Sequence, residues 1–580
     1  MKRFEWLILG VLLLAAAVAW HDLGAHEVLG RDENATIAKL DQPSLAAVLR
    51  AVPMKITGQP GNMQPLYFVL QSFLWPLVGR SAFVLRFLPA AFGILAVAVT
   101  FKLGEALFSR EAGLAGALFT ALLPLHVQYS QIARPYTLLA LLSLASAYFL
   151  LRAWATDRPI HWAAFALTGA LNFYTHYNAL FVLAAEAVFV AIVWLARLVR
   201  VWQGRVPAGR LAGAVAGFLA LGLLCAPGLV QLARLPWTGL EAGAQAEAEL
   251  GAAVAIELTS TFITRFLARI GLAPLALRVA MLGLAALGLV STLARRRWTA
   301  AVFAILWIAL PFLILAVMRS PRPFVERYVI FVPPMALLLA GEGLSVLASV
   351  ASAASTTSRR LHPAGRRLDR PWLRPALVLA LAAVLALLQI KPLRSYYVAN
   401  RTANRLGEAV SVVERHARAG DAVLVSPRFL VRPLAADGAD VHYLPRHLSL
   451  AELDQLAGRY QRVWLLFSSY LPPAELQEPV DRWYQARQDS FARVPIKAIT
   501  ALAYSNLTLT DPEASLLDRI VLLEELAASD EKQEAYLRHQ ALADAYQALS
   551  QVYAAQNKPE LMAEYQALAD AARAAAPPPW

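Results

Sequence analysis

Long apolar runs separated by short polar segments dominate the chain up to about residue 400. An α-helix needs about 20 mostly apolar residues to cross a bilayer. The first run follows a basic flank and lacks a cleavage site, because Trp20-His21-Asp22 is bulky and polar, so we expect an uncleaved first span. Together the runs predict about eleven spans, near 6–20, 82–104, 112–128, 136–153, 162–175, 178–196, 211–235, 273–294, 299–318, 328–350 and 374–391.

Lysine and arginine collect in every second connection between these runs, at 2–3, 102–110, 152–158, 197–210, 295–297 and 359–374. Because cytoplasmic loops are enriched in Lys and Arg, these connections and the N-terminus are predicted to be cytoplasmic. The opposite, outer face then receives the long loop 21–81 and everything after about residue 392. We therefore expect a multi-pass protein of the inner or plasma membrane whose C-terminal part is periplasmic or extracellular.

A soluble composition begins near residue 400. A helical stretch at 405–419 precedes two short apolar strand candidates, 422–426 and Arg462–Phe467, which predict a small soluble α/β domain over 400–509. Residues 510–580 have helical spacing and resemble one degenerate tetratricopeptide unit. Since a single unit cannot form a stable solenoid, we expect a helical hairpin that caps the α/β domain, with partner binding as an alternative. The predicted fold is thus mainly α-helical and polytopic over 1–395, followed by these two soluble parts.

Composition supports this picture and narrows the class of protein. The 580 residues are 58% hydrophobic and only 16% charged, and the mean hydropathy is +0.50, whereas soluble chains are about 25% charged. This composition excludes a wholly soluble enzyme, a disordered protein and a disulfide-rich secreted domain. The one cysteine, Cys225, can form no intramolecular disulfide. Since much of the net charge of +13 lies in the predicted cytoplasmic connections, nucleic acid is not expected as a partner.

Polar and charged residues gather in the loops of the predicted outer face. Charged residues at membrane depth are costly and usually mark function. A carboxylate there can act as a general base or hold a divalent cation, and arginines can bind a phosphate through charge-assisted hydrogen bonds. This combination favours group transfer from a phosphorylated lipid carrier. The residues concerned are Arg31, Asp32, Glu33, Arg86, Tyr129, Ser130, Gln131, Arg134, Tyr136, His176, Tyr177, Arg319, Arg322, Glu326, Arg327 and Tyr328.

The short motifs that carry these residues occur in a definite order along the chain. The order resembles that of the GT-C superfamily of membrane glycosyltransferases, in particular the family 39 type, which includes protein O-mannosyltransferases and aminoarabinose transferases of lipid A. The resemblance covers roughly residues 1–400. The matching motifs are Arg31-Asp32-Glu33, Gln64-Pro65-Leu66-Tyr67, Gly79 with Arg86 and Pro89, Phe108-Ser109-Arg110-Glu111-Ala112-Gly113, Tyr129-Ser130-Gln131, Ala133-Arg134-Pro135-Tyr136, Thr175-His176-Tyr177 and Glu326-Arg327-Tyr328.

The resemblance implies an inverting glycosyltransferase that takes one sugar from a polyprenyl-phosphate carrier on the outer leaflet. It implies that Asp32 is the catalytic carboxylate, which activates the acceptor hydroxyl, with Glu33 as a candidate second carboxylate. The carrier phosphate would be bound by arginines, and the cavity would be lined by polar and aromatic side chains. These are Arg134, Arg327 and Arg86 for the phosphate, and Tyr136, His176, Tyr177 and Tyr328 for the lining.

One departure from the family pattern concerns the second outer motif, where many relatives have a glutamate and this chain has Ile132. A divalent cation such as Mg or Mn is therefore an open question, and so is compensation by Glu33. The acceptor class, which could be a lipid, a protein or a glycan, is open as well. A transporter of lipid-linked sugar and a catalytically inactive scaffold of the same fold are the alternative functions.

Simpler structural roles are alternatives for individual residues. Asp32 and Glu33 could begin a surface helix, because acidic side chains favour a helix N-terminus. Arg134 could anchor a span end by reaching the headgroups, and His176 could belong to an interfacial aromatic belt. Arg319, Arg322 and Arg327 could bind anionic membrane lipids.

Overall fold

The computed structural model divides into two compact units. The helical unit comprises Met1–Ala25 and Ala35–Tyr397, and the C-terminal unit comprises His26–Asn34 and Val398–Trp580. The structure describes residues 2–25, 31–40, 42, 44–52, 64–79, 81–198, 208–233, 260–272, 274–318, 325–360, 373–403, 406–426, 434, 438–443, 449–460, 462–467, 483, 492–494, 502–507, 512–526 and 532–577.

Helices account for nearly all the described residues up to 403. A 3-10 helix, Glu326–Val329, interrupts the series. The α-helices are Lys2–Trp20, Arg31–Leu40, Leu45–Ala51, Leu66–Val78, Ala82–Leu107, Arg110–Leu122, Pro124–Ser130, Tyr136–Thr156, Pro159–Phe173, Ala179–Leu198, Ala208–Ala233, Ser260–Arg269, Leu275–Ala294, Trp298–Met318, Val332–Arg360 and Leu373–Ala403.

Each predicted apolar run coincides with one of these helices or, in one case, with a bent pair. Within the described residues, eight helices are long and apolar enough to cross a membrane, and a ninth crossing results if the bent pair counts as one span. Two shorter apolar helices, Glu5–Trp20 and Leu66–Val78, accompany them. The prediction of a mainly helical, polytopic membrane protein is confirmed, whereas the count of about eleven spans stays a prediction.

The bent pair, Arg110–Leu122 and Pro124–Ser130, turns through 61°. Pro124 has no N–H to continue the first helix, so the helix ends before it. Gly271 packs directly on the proline ring, where a Cβ would lie 2.3 Å from Pro124 Cδ, and its φ of +108° also favours glycine. The bend directs the chain into the turn that carries Arg134.

Arginines of the predicted cytoplasmic connections also hold helices together. Arg295 Nη1 lies 3.3 Å from Glu342 Oε1, and that carboxylate is almost fully buried. Arg297 Nη1 donates to the Phe108 carbonyl at 2.8 Å. Because a carboxylate buried at the end of a span is costly without a partner, Arg295 has a structural role in addition to its topological one.

In the C-terminal unit, a mixed five-stranded sheet has the order β2-β1-β3-β5-β4. Strand β1 pairs in parallel with β2 and β3, and β5 pairs antiparallel with β3 and β4. Strands β1 and β3 coincide with the two predicted strands. The strands are β1 (Asp421–Ser426), β2 (Asp440–Tyr443), β3 (Arg462–Phe467), β4 (Ala492–Val494) and β5 (Leu502–Leu507).

A buried ion pair joins β1 and β3, which are parallel neighbours in the sheet. Arg462 Nη2 lies 2.7 Å from Asp421 Oδ2, and Trp464 Nε1 donates to the same carboxylate at 2.9 Å. The helices Leu406–His416 and Leu450–Ala457 belong to the same unit. Both charges are buried, and each is the partner of the other, so neither is left uncompensated in the interior.

The last part of the chain consists of three helices, Pro512–Leu526, Lys532–Ala555 and Pro559–Ala575. The second and third lie in the part of the chain where the sequence predicts a hairpin, and the first packs on the second through an apolar cluster that includes Leu523 and Leu549. Domain boundaries at 395, 400, 509 and 510 stay predictions.

Candidate active site

One aromatic ring, that of Tyr136, lies at the centre of the candidate site. The guanidinium carbon of Arg327 is 5.5 Å from the ring centroid, and that of Arg134 is 5.8 Å away. The rings of Tyr129 and His176 lie 5.1 and 5.7 Å from it, centroid to centroid. These five residues, the Tyr136 cluster, come from three separate connections that the sequence predicts on the same face of the membrane.

Arg134 is held in a tight turn between two helices. The turn is closed by a hydrogen bond from Arg134 N–H to the Ile132 carbonyl, 2.7 Å long. Pro135 is the N-cap of the next helix and disfavours helical conformation at Arg134. Thr36 Oγ1 donates to the Ala133 carbonyl at 2.9 Å, so the helix Arg31–Leu40 is bound to this turn. The result is a cation only 8% exposed at a defined position.

Gln131 fastens the same turn to the first and last helices of the helical unit. Its Nε2 donates to the Ala19 and His21 carbonyls at 3.2 and 2.7 Å. Its Oε1 accepts from the Tyr396 hydroxyl at 3.0 Å. Since both ends of the buried amide are satisfied, the position of the turn is well determined.

Arg327 belongs to the 3-10 helix Glu326–Val329, whose position is set by neighbours on both sides. Asn178 Nδ2 donates to the Tyr328 carbonyl at 3.1 Å, and Arg269 Nη1 lies 2.8 Å from Glu326 Oε1. Arg327 also hydrogen-bonds the Tyr129 hydroxyl. Its guanidinium contacts the Tyr328 ring as well, at 5.9 Å.

His176 lies in the turn after the helix Pro159–Phe173. Its Nδ1 accepts the Asn178 backbone N–H at 3.1 Å. Burial, followed by the positive charges of Arg134 and Arg327, lowers the pKa of His176 to about 4, so the ring is neutral at physiological pH.

Tyr177 links this turn to the Gln64-Pro65 motif. Burial raises the pKa of Tyr177, and a hydrogen bond with the Gln64 side chain opposes that shift. The Leu66 N–H donates to the Tyr174 carbonyl at 2.9 Å. A motif that is far away in the sequence is therefore next to the cluster.

Lys39 is a cation of this region that the sequence did not point to. Its Nζ donates to the Ala51 and Val52 carbonyls at 2.9 and 2.8 Å. Burial, with the charge of Arg134 as the smaller contribution, lowers the pKa of Lys39 to about 8. The only sequence signal is its place three residues after Thr36, on the same side of one helix.

The two predicted carboxylates, Asp32 and Glu33, lie in the first turn of the helix Arg31–Leu40. Glu33 is 4% exposed, whereas the Asp32 side chain lies outside the described residues. Asp32 precedes Thr36 by one turn of the same helix. Both the catalytic role and the role as an acidic helix N-terminus therefore stay predictions.

Arg86 and Ile132 complete the predicted set. Arg86 is buried at the beginning of the helix Ala82–Leu107, and its Nη1 donates to the Leu23 carbonyl at 3.3 Å. Ile132 packs partly buried on the apolar core of the helical unit. Among the described residues, no three His, Cys, Asp or Glu side chains form a group that could hold a metal ion. Arg319 and Arg322 lie outside those residues.

Residues 59–221 match the family model described as dolichyl-phosphate-mannose-protein mannosyltransferase. The matched residues include Arg86, Arg134, Tyr136, His176 and Tyr177, but neither Asp32 nor Arg327. A search of curated proteins finds no significant match.

Solved structures of ArnT share the fold at low sequence identity. The crystal structure of ArnT from Cupriavidus metallidurans in the apo state has a TM-score of 0.51 and 14% identity, over 87% of this chain and 99% of that chain. ArnT bound to undecaprenyl phosphate has the same TM-score with 13% identity, over 87% and 98%. The apo oligosaccharyltransferase of Archaeoglobus fulgidus has a TM-score of 0.48 and 13% identity, over 87% and 75%.

The chain therefore has the GT-C fold of membrane glycosyltransferases, and the resemblance inferred from its motifs is confirmed. Residues 59–221, which include Arg134 and His176, are the part of the chain that matches the mannosyltransferase family model.

Proposed function

We propose that the protein is an inverting glycosyltransferase, which moves one sugar from a polyprenyl-phosphate carrier to an acceptor hydroxyl on the outer face of the membrane. The observation that carries the proposal is the placement of two guanidinium groups, those of Arg134 and Arg327, beside one aromatic ring. The ArnT structure with the same fold is described as bound to undecaprenyl phosphate, a ligand of the proposed class.

The arginine pair suits the departing phosphate. Arginine stays protonated at all physiological pH values, and its planar N–H groups match phosphate oxygens. Two such cations close together repel each other, and an anion between them relieves that repulsion. As the bond from the anomeric carbon to the phosphate oxygen breaks, the electron pair stays on that oxygen, where Arg134 and Arg327 stabilise the charge.

The acceptor half of the reaction is assigned to Asp32. Its carboxylate takes the proton of the acceptor hydroxyl, whose oxygen attacks the anomeric carbon from the side opposite the phosphate. One bond forms and one breaks in line, so the configuration at that carbon inverts. Support comes from the helix Arg31–Leu40, in which Thr36, one turn after Asp32, is bound to the Ala133 carbonyl beside Arg134. Glu33 is the candidate second carboxylate.

The other predicted site residues are proposed to bind the carrier phosphate or to line the cavity. Arg86 is proposed as a further contact of the carrier phosphate, and Tyr136, His176, Tyr177 and Tyr328 as the lining of the cavity. Ile132 offers no ligand for a metal, so any Mg or Mn would depend on Asp32, Glu33 and the substrate.

The proposed location is the inner or plasma membrane, with a cytoplasmic N-terminus and the C-terminal domain in the periplasm or outside the cell. The distribution of Lys and Arg supports it, because these residues collect in every second connection between the apolar runs. The donor is then a polyprenyl-phosphate sugar of the outer leaflet, and the acceptor is a lipid, a protein or a glycan.

A complementation experiment tests the proposal. Envelope lipids, glycans and glycoproteins of a strain lacking the gene are compared by mass spectrometry with those of strains that carry wild type, D32N or D22N. Wild type and D22N should restore the missing sugar, whereas D32N, expressed at the same level, should not, because an amide cannot accept the proton. Asp22 is the matched control, since it is an aspartate of the same loop outside the proposed machinery. Full restoration by D32N would contradict the role of Asp32. Flipping of a lipid-linked sugar across vesicles without any transfer would instead identify a transporter.

A further inference from the structure

The hydrogen bonding of His176 determines which of its ring nitrogens carries the proton. The Asn178 backbone N–H, which can only donate, points at His176 Nδ1 from 3.1 Å. Nδ1 must therefore present its lone pair. A neutral imidazole has one N–H, and an acceptor at Nδ1 leaves that proton on Nε2.

The surroundings oppose a second proton on the same ring. Arg134 and Arg327 both act on His176 electrostatically, and each positive charge disfavours an imidazolium. The Tyr136 ring packs beside the His176 ring, with their centroids 5.7 Å apart. In addition, a proton on Nδ1 would face the Asn178 N–H, donor against donor. The ring is therefore a neutral donor with a defined tautomer.

His176 and the two arginines surround the same aromatic ring. The His176 ring lies 5.7 Å from the Tyr136 ring, and both guanidinium groups contact that same ring. Among the described residues, none accepts a hydrogen bond from His176 Nε2 in the structure. A polar N–H beside two cations is a group that can orient a bound anion.

We propose that His176 Nε2–H donates a hydrogen bond to a phosphate oxygen of the carrier lipid, and that His176 does not serve as a base. The inference rests on the proposed function, because it takes the lipid phosphate as the ligand between Arg134 and Arg327. His176 thus adds a neutral, directional contact to two charged ones. No proton leaves the ring in this role, so Asp32 remains the base.

The test is a binding measurement on the full-length protein in nanodiscs, with undecaprenyl phosphate as the probe. Two controls accompany it: undecaprenol, which has the lipid chain without the phosphate, and inorganic phosphate, which has the anion without the lipid chain. The variants are H176F, H176N and H176Q. Glutamine places its amide N–H2 near the position of histidine Nε2, whereas the shorter asparagine reaches only the position of Nδ1, and phenylalanine has no donor.

The donor role predicts that H176F and H176N weaken binding by about tenfold to about a hundredfold, the range for a hydrogen bond to a charged group. H176Q should stay within about threefold of wild type, because a neutral donor is retained. H161F is the matched control, since His161 bonds Thr156 Oγ1 at 2.6 Å on another turn, and it should bind like wild type. Nitrogen-15 NMR of the histidines should show His176 as the neutral Nε2–H tautomer between about pH 6 and about pH 8.

Two outcomes would overturn the inference and leave the proposed function intact. One is wild-type affinity in H176F while the wild type still prefers undecaprenyl phosphate to undecaprenol. The other is an equal loss in H176Q and H176F, or an imidazolium signal at about pH 6. A failure of the proposed function looks different, because wild type would then show no preference for the phosphorylated lipid, and replacement of Arg134 would change nothing.

Discussion

The Arg327 guanidinium lies over the Tyr136 ring, with its carbon 5.5 Å from the centroid. The same ring has Arg134 at 5.8 Å, so one phenol ring holds two cations that are 193 residues apart in the chain, from 134 to 327. A cation beside an aromatic face is stabilised by the ring quadrupole. Tyr136 therefore brings together two charges that would otherwise repel each other.

Substitutions of Tyr136 should distinguish the contribution of its aromatic face from that of its hydroxyl. In Y136L the quadrupole is lost, and affinity for undecaprenyl phosphate should fall by about threefold to about thirtyfold, as expected for cation–π contacts worth about 0.5–2 kcal/mol. Y136F keeps the aromatic face and should stay close to wild type. Binding to the protein in nanodiscs measures both. Equal affinities in Y136L and wild type would show that the ring does not position the arginines.

Replacing Asn178 should weaken binding of the lipid-linked sugar donor and should have little effect on the rate of the chemical step. Its side chain donates to the Tyr328 carbonyl at 3.1 Å and so fixes the segment that carries Arg327. N178D has nearly the same shape but no N–H2, and we expect a KM for the lipid donor raised by about fivefold to about tenfold with kcat changed less, because mainly binding is lost. The backbone N–H that binds His176 is unaffected. S72A is a suitable control, because Ser72 bonds only within its own helix, to the Val69 carbonyl. A fall in kcat at constant KM would contradict the positioning role.

Lys39 should make lipid-phosphate binding depend on pH. The pKa of Lys39 is lowered to about 8, so the ammonium is charged below that pH and neutral above it. The favourable charge is present at about pH 7 and lost as the pH rises to about 9, and affinity for undecaprenyl phosphate should fall across that interval.

The control for this pH dependence is the K39R variant, in which the cation does not titrate over the interval. Its affinity curve should be flatter than that of wild type, while K39M should be weaker than wild type at about pH 7 and equally flat. If K39R and wild type give the same slope, the titrating group is not Lys39.

Much of the fold could be predicted from the sequence because it rests on local signals. The apolar runs coincide with helices such as Ala82–Leu107 and Tyr136–Thr156, since a membrane-spanning helix satisfies its backbone polar groups internally. Strands β1 and β3 coincide with apolar runs as well. The short strands β2 and β4 could not be expected, because three or four residues carry too little pattern to indicate a strand.

The residues of the candidate site were also visible in the sequence, but their relationships were not. Arg134, His176 and Arg327 stand out because polar groups are rare at span ends. That they surround Tyr136 depends on contacts between segments far apart in the chain. The sequence does not indicate Lys39, because an isolated lysine in an outer loop is ordinarily solvent-exposed. In the structure its buried ammonium group donates to the Ala51 and Val52 carbonyls, which lie 12 and 13 residues further along the chain.

By itself, the sequence determined that this is a polytopic helical membrane protein, and it determined which residues carry the candidate chemistry. Hydropathy and motif order are properties of neighbouring residues, so they can be recognised without coordinates. Only the tertiary structure decided that two arginines share one ring, that Lys39 is buried within electrostatic range of Arg134, and that His176 Nδ1 accepts a backbone hydrogen bond. Those features arise from packing and hydrogen bonds between distant segments, and no local pattern encodes which distant partner a side chain will meet.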